Sequence, residues 1–174
     1  MADLYPYLIA SLPELQFGAR PAFSFERLIE MCHNMIPPED EALVKSCATD
    51  AYLEEDINDP TLLQWRIFET GLRNELVMVR AGRKKADAQK YLRRNPDPKE
   101  QLFHIAMTSH RMTSFIESEK FLDRERWRKL DELALGHYFD CPALIVYALK
   151  MRILLRWDAI ESADKQATLE RILV

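Results

Sequence analysis

Five apolar residues constrain the fold of this chain more than any other feature of its sequence. They follow one another at spacings of three or four residues: Trp65, Phe68, Leu72, Leu76 and Val79. This spacing places all five on one narrow side of an α-helix, as in a helix of a bundle or coiled coil. We predict a helix that begins at Asp59-Pro60, where an N-cap precedes a proline, and that reaches Ala81 or beyond.

Helix start signals recur along the rest of the chain. Ser24 and Asp140 are typical N-caps, and Pro38 suits a first helical turn. Ser114, followed three residues later by Glu117, resembles a capping box. The helix after Asp140 has apolar residues on nearly every face, so we expect it near the centre of the core. The sequence predicts an all-α bundle of roughly six or seven helices.

Two questions remain open at this point: the secondary structure of the N-terminal segment and the number of domains. Tyr5, Tyr7 and Ile9 alternate, which weakly favours a short extended segment over the first turns of a helix. The chain is predicted to form a single helical domain over 1–174, with "NPDP" at 95–98 as a possible sub-boundary.

Composition narrows the class of protein. The three cysteines form no C-x-x-C, which is typical of reduced thiols in a cytosolic protein. The N-terminus lacks the basic region of a secretory signal. The longest apolar run, in the last helix, is interrupted by Lys150, Arg152 and Arg156 and is too short to span a bilayer. We therefore expect a cytoplasmic protein that does not cross a membrane.

No pattern indicates catalysis or a cofactor. The four glycines stand far apart, which excludes the phosphate-binding loops of P-loop and dinucleotide-binding proteins. Glu30 and His33 form a single E-x-x-H, whereas a di-iron bundle needs two. None of the cysteines lies in a nucleophile signature, and no serine-hydrolase motif is present. We expect no catalytic residue, no metal site, no cofactor and no enzymatic activity.

One concentrated basic stretch stands out in this acidic chain. The chain carries a net charge of −4, yet residues 72–94 hold eight basic residues against two acidic ones. Arg66, Arg73 and Arg80 are seven residues apart, and Lys84 continues the same side of the helix one turn later. Glu69 precedes Arg73 by four residues, the favourable order for a surface ion pair. We select Arg66, Arg73, Arg80 and Lys84 as the candidate partner-binding residues.

Three interpretations of this stripe remain open. It can be a solvated helix face whose cations suit the helix C-terminus. It can dock on an acidic surface of another protein, as a general helical adaptor would. Nucleic-acid binding is the least favoured, because the chain has a pI near 5.6 and no basic face interleaved with aromatic residues.

Several segments resemble a known family. "YPYLIASLPEL" near the N-terminus is similar to the opening of an uncharacterised bacterial family encoded with vacuolar/archaeal-type (V/A-type) ATPases, and "PAFSFERLIEMC" is similar to the helix start that follows. "LRNELVMVRAGRKK" resembles an Asn-Leu…Arg-Ala helix of that family and of the C-type stalk protein of the V-type ATP synthase, whose eukaryotic equivalent is the d-type stalk protein. Asn74, Leu76, Arg80 and Ala81 carry that match. The C-type stalk proteins are much longer and contain three related helical units.

The resemblance implies an all-helical, non-catalytic component of a rotary ATPase. The C-type stalk protein joins the central stalk to the membrane-embedded rotor ring, so the resemblance implies a coupling or assembly role. The expected partners are other V/A-type ATPase subunits, in the rotor ring or the central stalk. The protein would then lie on the cytoplasmic face of the cell membrane, peripheral to it and without spanning it.

Overall fold

The structure is a computed structural model that describes residues 4–49, 58–94 and 102–172, with side chains as far as residue 163. Within these ranges the chain forms seven α-helices, one short 3-10 helix and no strand, which confirms the all-α prediction. The α-helices are α1 (Pro6–Ser11), α2 (Phe25–Cys32), α3 (Pro38–Ser46), α4 (Pro60–Lys84), α5 (Phe103–Arg111), α6 (Phe115–Leu133) and α7 (Cys141–Ile172).

The helices belong to two compact units. The first unit comprises Met1–Asp50 and Leu133–Val174, and the second is Ala51–Glu132. Residues 95–98, where the sequence allowed a sub-boundary, lie outside the described ranges, and the expectation of a single domain stays a prediction. No helix in the described part of the chain combines the length and the apolar character that a bilayer span requires.

In the first unit, α2 and α3 pack against each other and against α7. Ser24 accepts a hydrogen bond from the backbone N–H of Arg27 at 3.3 Å, and Asp140 accepts one from Ala143 at 3.3 Å, so both predicted N-caps are confirmed. The central part of α7 is buried on several faces, as its sequence predicted. Its buried residues include Leu144, Ile145, Ala148, Leu149, Met151 and Leu154.

The N-terminal segment is helical, so the expectation of a short extended segment is wrong. Pro6 opens α1, where its fixed φ suits a first helical turn. Tyr5 and Leu8, three residues apart, are buried, whereas Tyr7 is 86% exposed. The buried side chains therefore follow a helical spacing, and the alternation of Tyr5 with Tyr7 does not describe which residues face the core.

In the second unit, α4 packs against α5, and its apolar seam is buried as predicted from Trp65 to Leu76. Asp59 caps α4 by accepting a hydrogen bond from the backbone N–H of Leu62 at 2.8 Å. The ring centroids of Trp65 and Phe68 lie 5.6 Å apart, and Leu72 is fully buried. These contacts fix the side of α4 that faces the core, and with it the side on which the basic residues lie.

Candidate protein-binding site

The predicted stripe lies on α4, and the structure divides it into two parts. Arg66 and Arg73 are half-buried, whereas Arg80 and Lys84 are exposed. The spacings of seven, seven and four residues keep all four on one side of the helix. Their surroundings therefore change along the helix, from the packed middle of α4 to its exposed C-terminal end.

Arg73 belongs to a buried network of charged side chains. Its Nε donates to Glu69 Oε1 at 2.9 Å, and Glu69 is only 3% exposed. Arg126 on α6 donates to the same carboxylate, with Nε 2.8 Å from Oε2 and Nη2 3.1 Å from Oε1. Arg126 Nη1 also donates to Asp123 Oδ1 at 2.9 Å. We call Glu69, Arg73, Asp123 and Arg126 the buried network.

The predicted ion pair between Glu69 and Arg73 is present, but the prediction that it lies at the surface is wrong, because Glu69 is buried. Glu69 lies at an angle on α4 close to that of the apolar residues Trp65 and Leu76, so it faces inward with them. Two guanidinium groups and two carboxylates balance in formal charge, and hydrogen bonds join them. A buried charge without such partners would be strongly destabilising.

The electrostatics of the network keep its charges in place. Burial by itself raises the pKa of the Glu69 carboxyl, but Arg126 and Arg73 outweigh that effect and hold the pKa below its usual value. Burial alone would lower the pKa of the Arg126 guanidinium. Glu69 and Asp123 outweigh that effect and raise this pKa above its ordinary value. At neutral pH Glu69 and Arg126 are therefore ionised, and Arg73 is hydrogen-bonded to the ionised carboxylate of Glu69.

The C-terminal end of α4 carries a different kind of positive charge. The last turns of α4 and the residue that follows them expose Arg80, Arg83, Lys84 and Lys85, which we call the cationic end. Arg80, Arg83 and Lys84 make no ion pair or side-chain hydrogen bond to any residue in the described ranges. Cations are favourable at a helix C-terminus, where each interacts with the helix dipole.

The chain after α4 turns back and brings further cations to the same helix. Lys85 adopts a left-handed conformation with φ 52°, and the backbone N–H of Ala86 bonds to the carbonyl of Ala81 at 3.1 Å. This arrangement is the Schellman motif that ends many helices. Asn74 then holds the returning chain: its Nδ2 donates to the Arg93 carbonyl at 2.7 Å, and its Oδ1 accepts from the Arg93 N–H at 2.9 Å.

We call residues 86–94 the return segment. Lys90, Arg93 and Arg94 are the basic residues that it adds, and they lie mostly at the surface. Because Asn74 lies in the middle of α4, the clamp on Arg93 places this end of the segment beside the helix. The basic stretch of the sequence therefore folds on itself, and its cations belong to one local structure.

A cavity of about 320 Å³ lies beside the cationic end, between α4 and the turn that joins α5 to α6. Leu76, Val79 and Arg80 line it from α4. The α5–α6 side contributes Met112 and Phe115 together with several polar side chains: Ser109, His110, Thr113, Ser114 and Ser118. Arg80 is therefore both a predicted site residue and part of a cavity wall.

The other candidate chemistry of the sequence has ordinary surroundings. His33 Nδ1 lies 3.3 Å from Glu41 Oε2, and Lys45 pairs with the same carboxylate. No cluster of three or more His, Cys, Asp or Glu side chains within the described ranges has the arrangement of a metal site. Burial raises the pKa of the Cys32 thiol to about 11, with a further contribution from Glu41, so this thiol is protonated at neutral pH.

No family model, curated protein or solved structure matches this chain. The residues of the sequence resemblance nevertheless have definite places in the structure. Asn74 clamps the return segment, Leu76 and Ala81 are buried, and Arg80 is exposed beside the cavity. The residues that carry the resemblance therefore lie in the C-terminal half of α4, which runs from its buried middle to the exposed cationic end.

Sequence reasoning missed the buried network and the cavity. A signal for the network exists in α6, where Asp123 and Arg126 fall within the arc defined by the buried residues Leu122, Trp127 and Leu130. Charged residues inside an apolar arc indicate buried partners. The cavity has no comparable signal, because residues from three helices and a turn meet there.

Proposed function

We propose that this chain is a non-catalytic component of a bacterial V/A-type rotary ATPase, and that it binds an acidic surface of another subunit. The observation that carries the proposal is the cationic end of α4. It is exposed, its Arg80, Arg83 and Lys84 have no carboxylate partner among the described residues, and it falls within the segment that resembles the ATPase family.

The charge distribution supports a partner over a merely solvated face. The net charge of the chain is −4, so acidic residues are plentiful elsewhere. Where α4 needs a charge neutralised inside the fold, at Glu69, the protein supplies two arginines. Four neighbouring cations at the cationic end repel one another, and a complementary acidic surface would remove that repulsion.

The proposed role is coupling or assembly. The chain attaches to the rotor ring or the central stalk from the cytoplasmic side and contributes no catalytic residue. Arg80, Arg83 and Lys84 steer and orient the partner, since exposed charges affect association rate and specificity more than they affect folding. Arg73 pairs with Glu69 in the buried network and is not part of the cationic end.

Affinity purification of the tagged full chain from its host tests the proposal. The wild-type chain should bring ATPase subunits with it, and the double variant Arg80→Glu, Lys84→Glu should not. The matched control is Arg20→Glu with Arg27→Glu, which changes the net charge equally at exposed positions of the first unit. Circular dichroism should show the same helical signal for all three proteins.

The proposal fails if the wild-type chain never brings ATPase subunits with it. If both double variants capture the subunits as well as the wild type does, the attachment lies elsewhere than the cationic end. Capture of an unrelated acidic protein that depends on Arg80 and Lys84 would favour the second candidate, a general helical adaptor. The same cationic end is the observation that supports that candidate.

A further inference from the structure

The cavity beside the cationic end combines apolar walls with a cation. Leu76 and Val79 line it from α4, Met112 lines it from the α5–α6 turn, and Phe115 lines it from the start of α6. Phe115 is 75% exposed, and its neighbour Ile116 is 56% exposed. The four apolar side chains form one part of a lining that also holds polar groups, and exposed apolar side chains in such a setting are typical of a binding surface.

Positive charge lies at one side of this cavity. Arg80 is in the wall and is exposed, with no ion pair to any described residue. Arg83 follows Val79 by four residues, so it lies on the same side of α4 one turn further on. The hydroxyls of Ser109 and Ser118 in the lining are 2.7 Å apart and hydrogen-bond each other, and Ser114 accepts from the backbone N–H of Glu117. Thr113 and His110 complete the polar part of the lining, and with His110 neutral the guanidinium of Arg80 is the one formal charge among the lining residues.

The size of the cavity limits what can enter. At about 320 Å³ it is at the small end of the range for ligand pockets, which is roughly 300–1,000 Å³. That volume suits one apolar side chain with its flanking backbone, and it is small for a nucleotide or a large cofactor. Arginine is enriched among the residues that contribute most to binding at protein–protein interfaces.

We infer that this cavity receives a short acidic segment of a partner protein. An apolar side chain of the segment enters between Leu76, Val79 and Phe115, and a carboxylate next to it binds the guanidinium of Arg80. The inference rests on the proposed function only in taking the partner to be a protein. It adds the chemistry of the segment: an aliphatic or aromatic residue flanked by Asp or Glu.

An array of short synthetic peptides tests this inference on the purified full chain. Each peptide has a central Leu, Ile, Met or Phe, flanked either by Asp and Glu or by the amides Asn and Gln. A further set replaces the central residue with Ala. The acidic peptides with an apolar centre should bind at least about tenfold more tightly than their amide or Ala counterparts, because each counterpart lacks one of the two contacts.

Two variants assign the binding to this cavity. Arg80→Gln should weaken the preferred peptide about tenfold, whereas Arg27→Gln, at an exposed arginine of the first unit, should leave it unchanged. Phe115→Ser should also weaken binding, with Tyr138→Ser as the control because Tyr138 is similarly exposed at 73%. Truncating an exposed ring removes little from the core, so the Phe115 variant should remain folded.

The inference is overturned if the array shows no preference for an acidic flank and an apolar centre, or if Arg80→Gln binds as tightly as the wild type. Inorganic phosphate is the competing probe. If phosphate binds the wild-type chain and not Arg80→Gln, while no peptide of the array binds, the site takes a free oxyanion and the peptide assignment is wrong. A peptide that binds while the host purification yields no ATPase subunit would support this inference and refute the proposed function.

Discussion

Two arginines of α4, seven residues apart on one side of the helix, have opposite surroundings. Arg73 is half-buried and bonded to the carboxylate of Glu69, which also receives Arg126 from α6. Arg80 is exposed, lines a cavity and has no described carboxylate partner. Helical spacing identifies the side of a helix on which a charge lies, whereas the neighbouring helices decide whether that charge is paired inside the fold or stays exposed.

Removing the central arginine of the buried network should have the largest effect. We expect Arg126→Met to lower the free energy of unfolding by about 3–5 kcal/mol, because Glu69 and Asp123 would be left buried without their shared partner. Urea unfolding followed by circular dichroism measures this difference.

Arg128→Met is the matched control for that variant. Arg128 lies two residues further along α6, where its side chain is 64% exposed and pairs with Glu125 at 2.6 Å. Because an exposed pair contributes little, we expect a loss of less than about 1 kcal/mol. Equal losses of unfolding free energy for Arg126→Met and Arg128→Met would contradict the distinction between arginines that stabilise the interior and arginines that are exposed.

The next largest effect is on the pH dependence of stability, through the ionisation of Glu69. The pKa of Glu69 is lower in the folded protein than its ordinary value of 4.5, so folding favours the ionised carboxylate. Its contribution to stability is complete above that ordinary value and is lost as the pH falls through the lowered folded pKa. Wild type should therefore be more stable than Glu69→Gln at pH 7, and the difference should shrink below about pH 4.5. A difference that stays constant down to about pH 3 would show that the charge of Glu69 does not support the network.

The clamp of the return segment should give a smaller, local effect. Asn74→Ala removes two hydrogen bonds to the backbone of Arg93, and we expect a loss of about 1 kcal/mol because the site is exposed. Hydrogen exchange should show faster exchange of the Arg93 amide, with the amides in the middle of α4 unchanged. If the Arg93 amide keeps its protection, the return segment is held by other contacts.

Much of the fold follows from local sequence signals. Each of Ser24, Asp59, Ser114 and Asp140 caps the helix that the sequence predicted, because an N-cap depends only on residues within one turn. The apolar seam of α4 was predictable for the same reason. Tyr5 shows the limit: three alternating residues are too few to distinguish a strand from a helix that begins at a proline.

The candidate site was predictable only in part. The spacing of Arg66, Arg73, Arg80 and Lys84 placed them correctly on one side of α4, but it contained no information about Arg126. That arginine lies 57 residues beyond Glu69 in sequence and neutralises it in the structure. The division between buried and exposed cations depends on that tertiary contact. The cavity likewise depends on how α5 and α6 meet α4, which no local pattern encodes.

Site-specific crosslinking in host cells tests most directly whether the cationic end is an interface. A photoreactive amino acid is placed at Arg83, and in a second protein at Arg128, which is also exposed and lies on α6. We expect a crosslinked adduct at position 83 that contains a V/A-type ATPase subunit, and a weaker adduct or none at position 128. The absence of any adduct at position 83, or equal adducts at both positions, would contradict it.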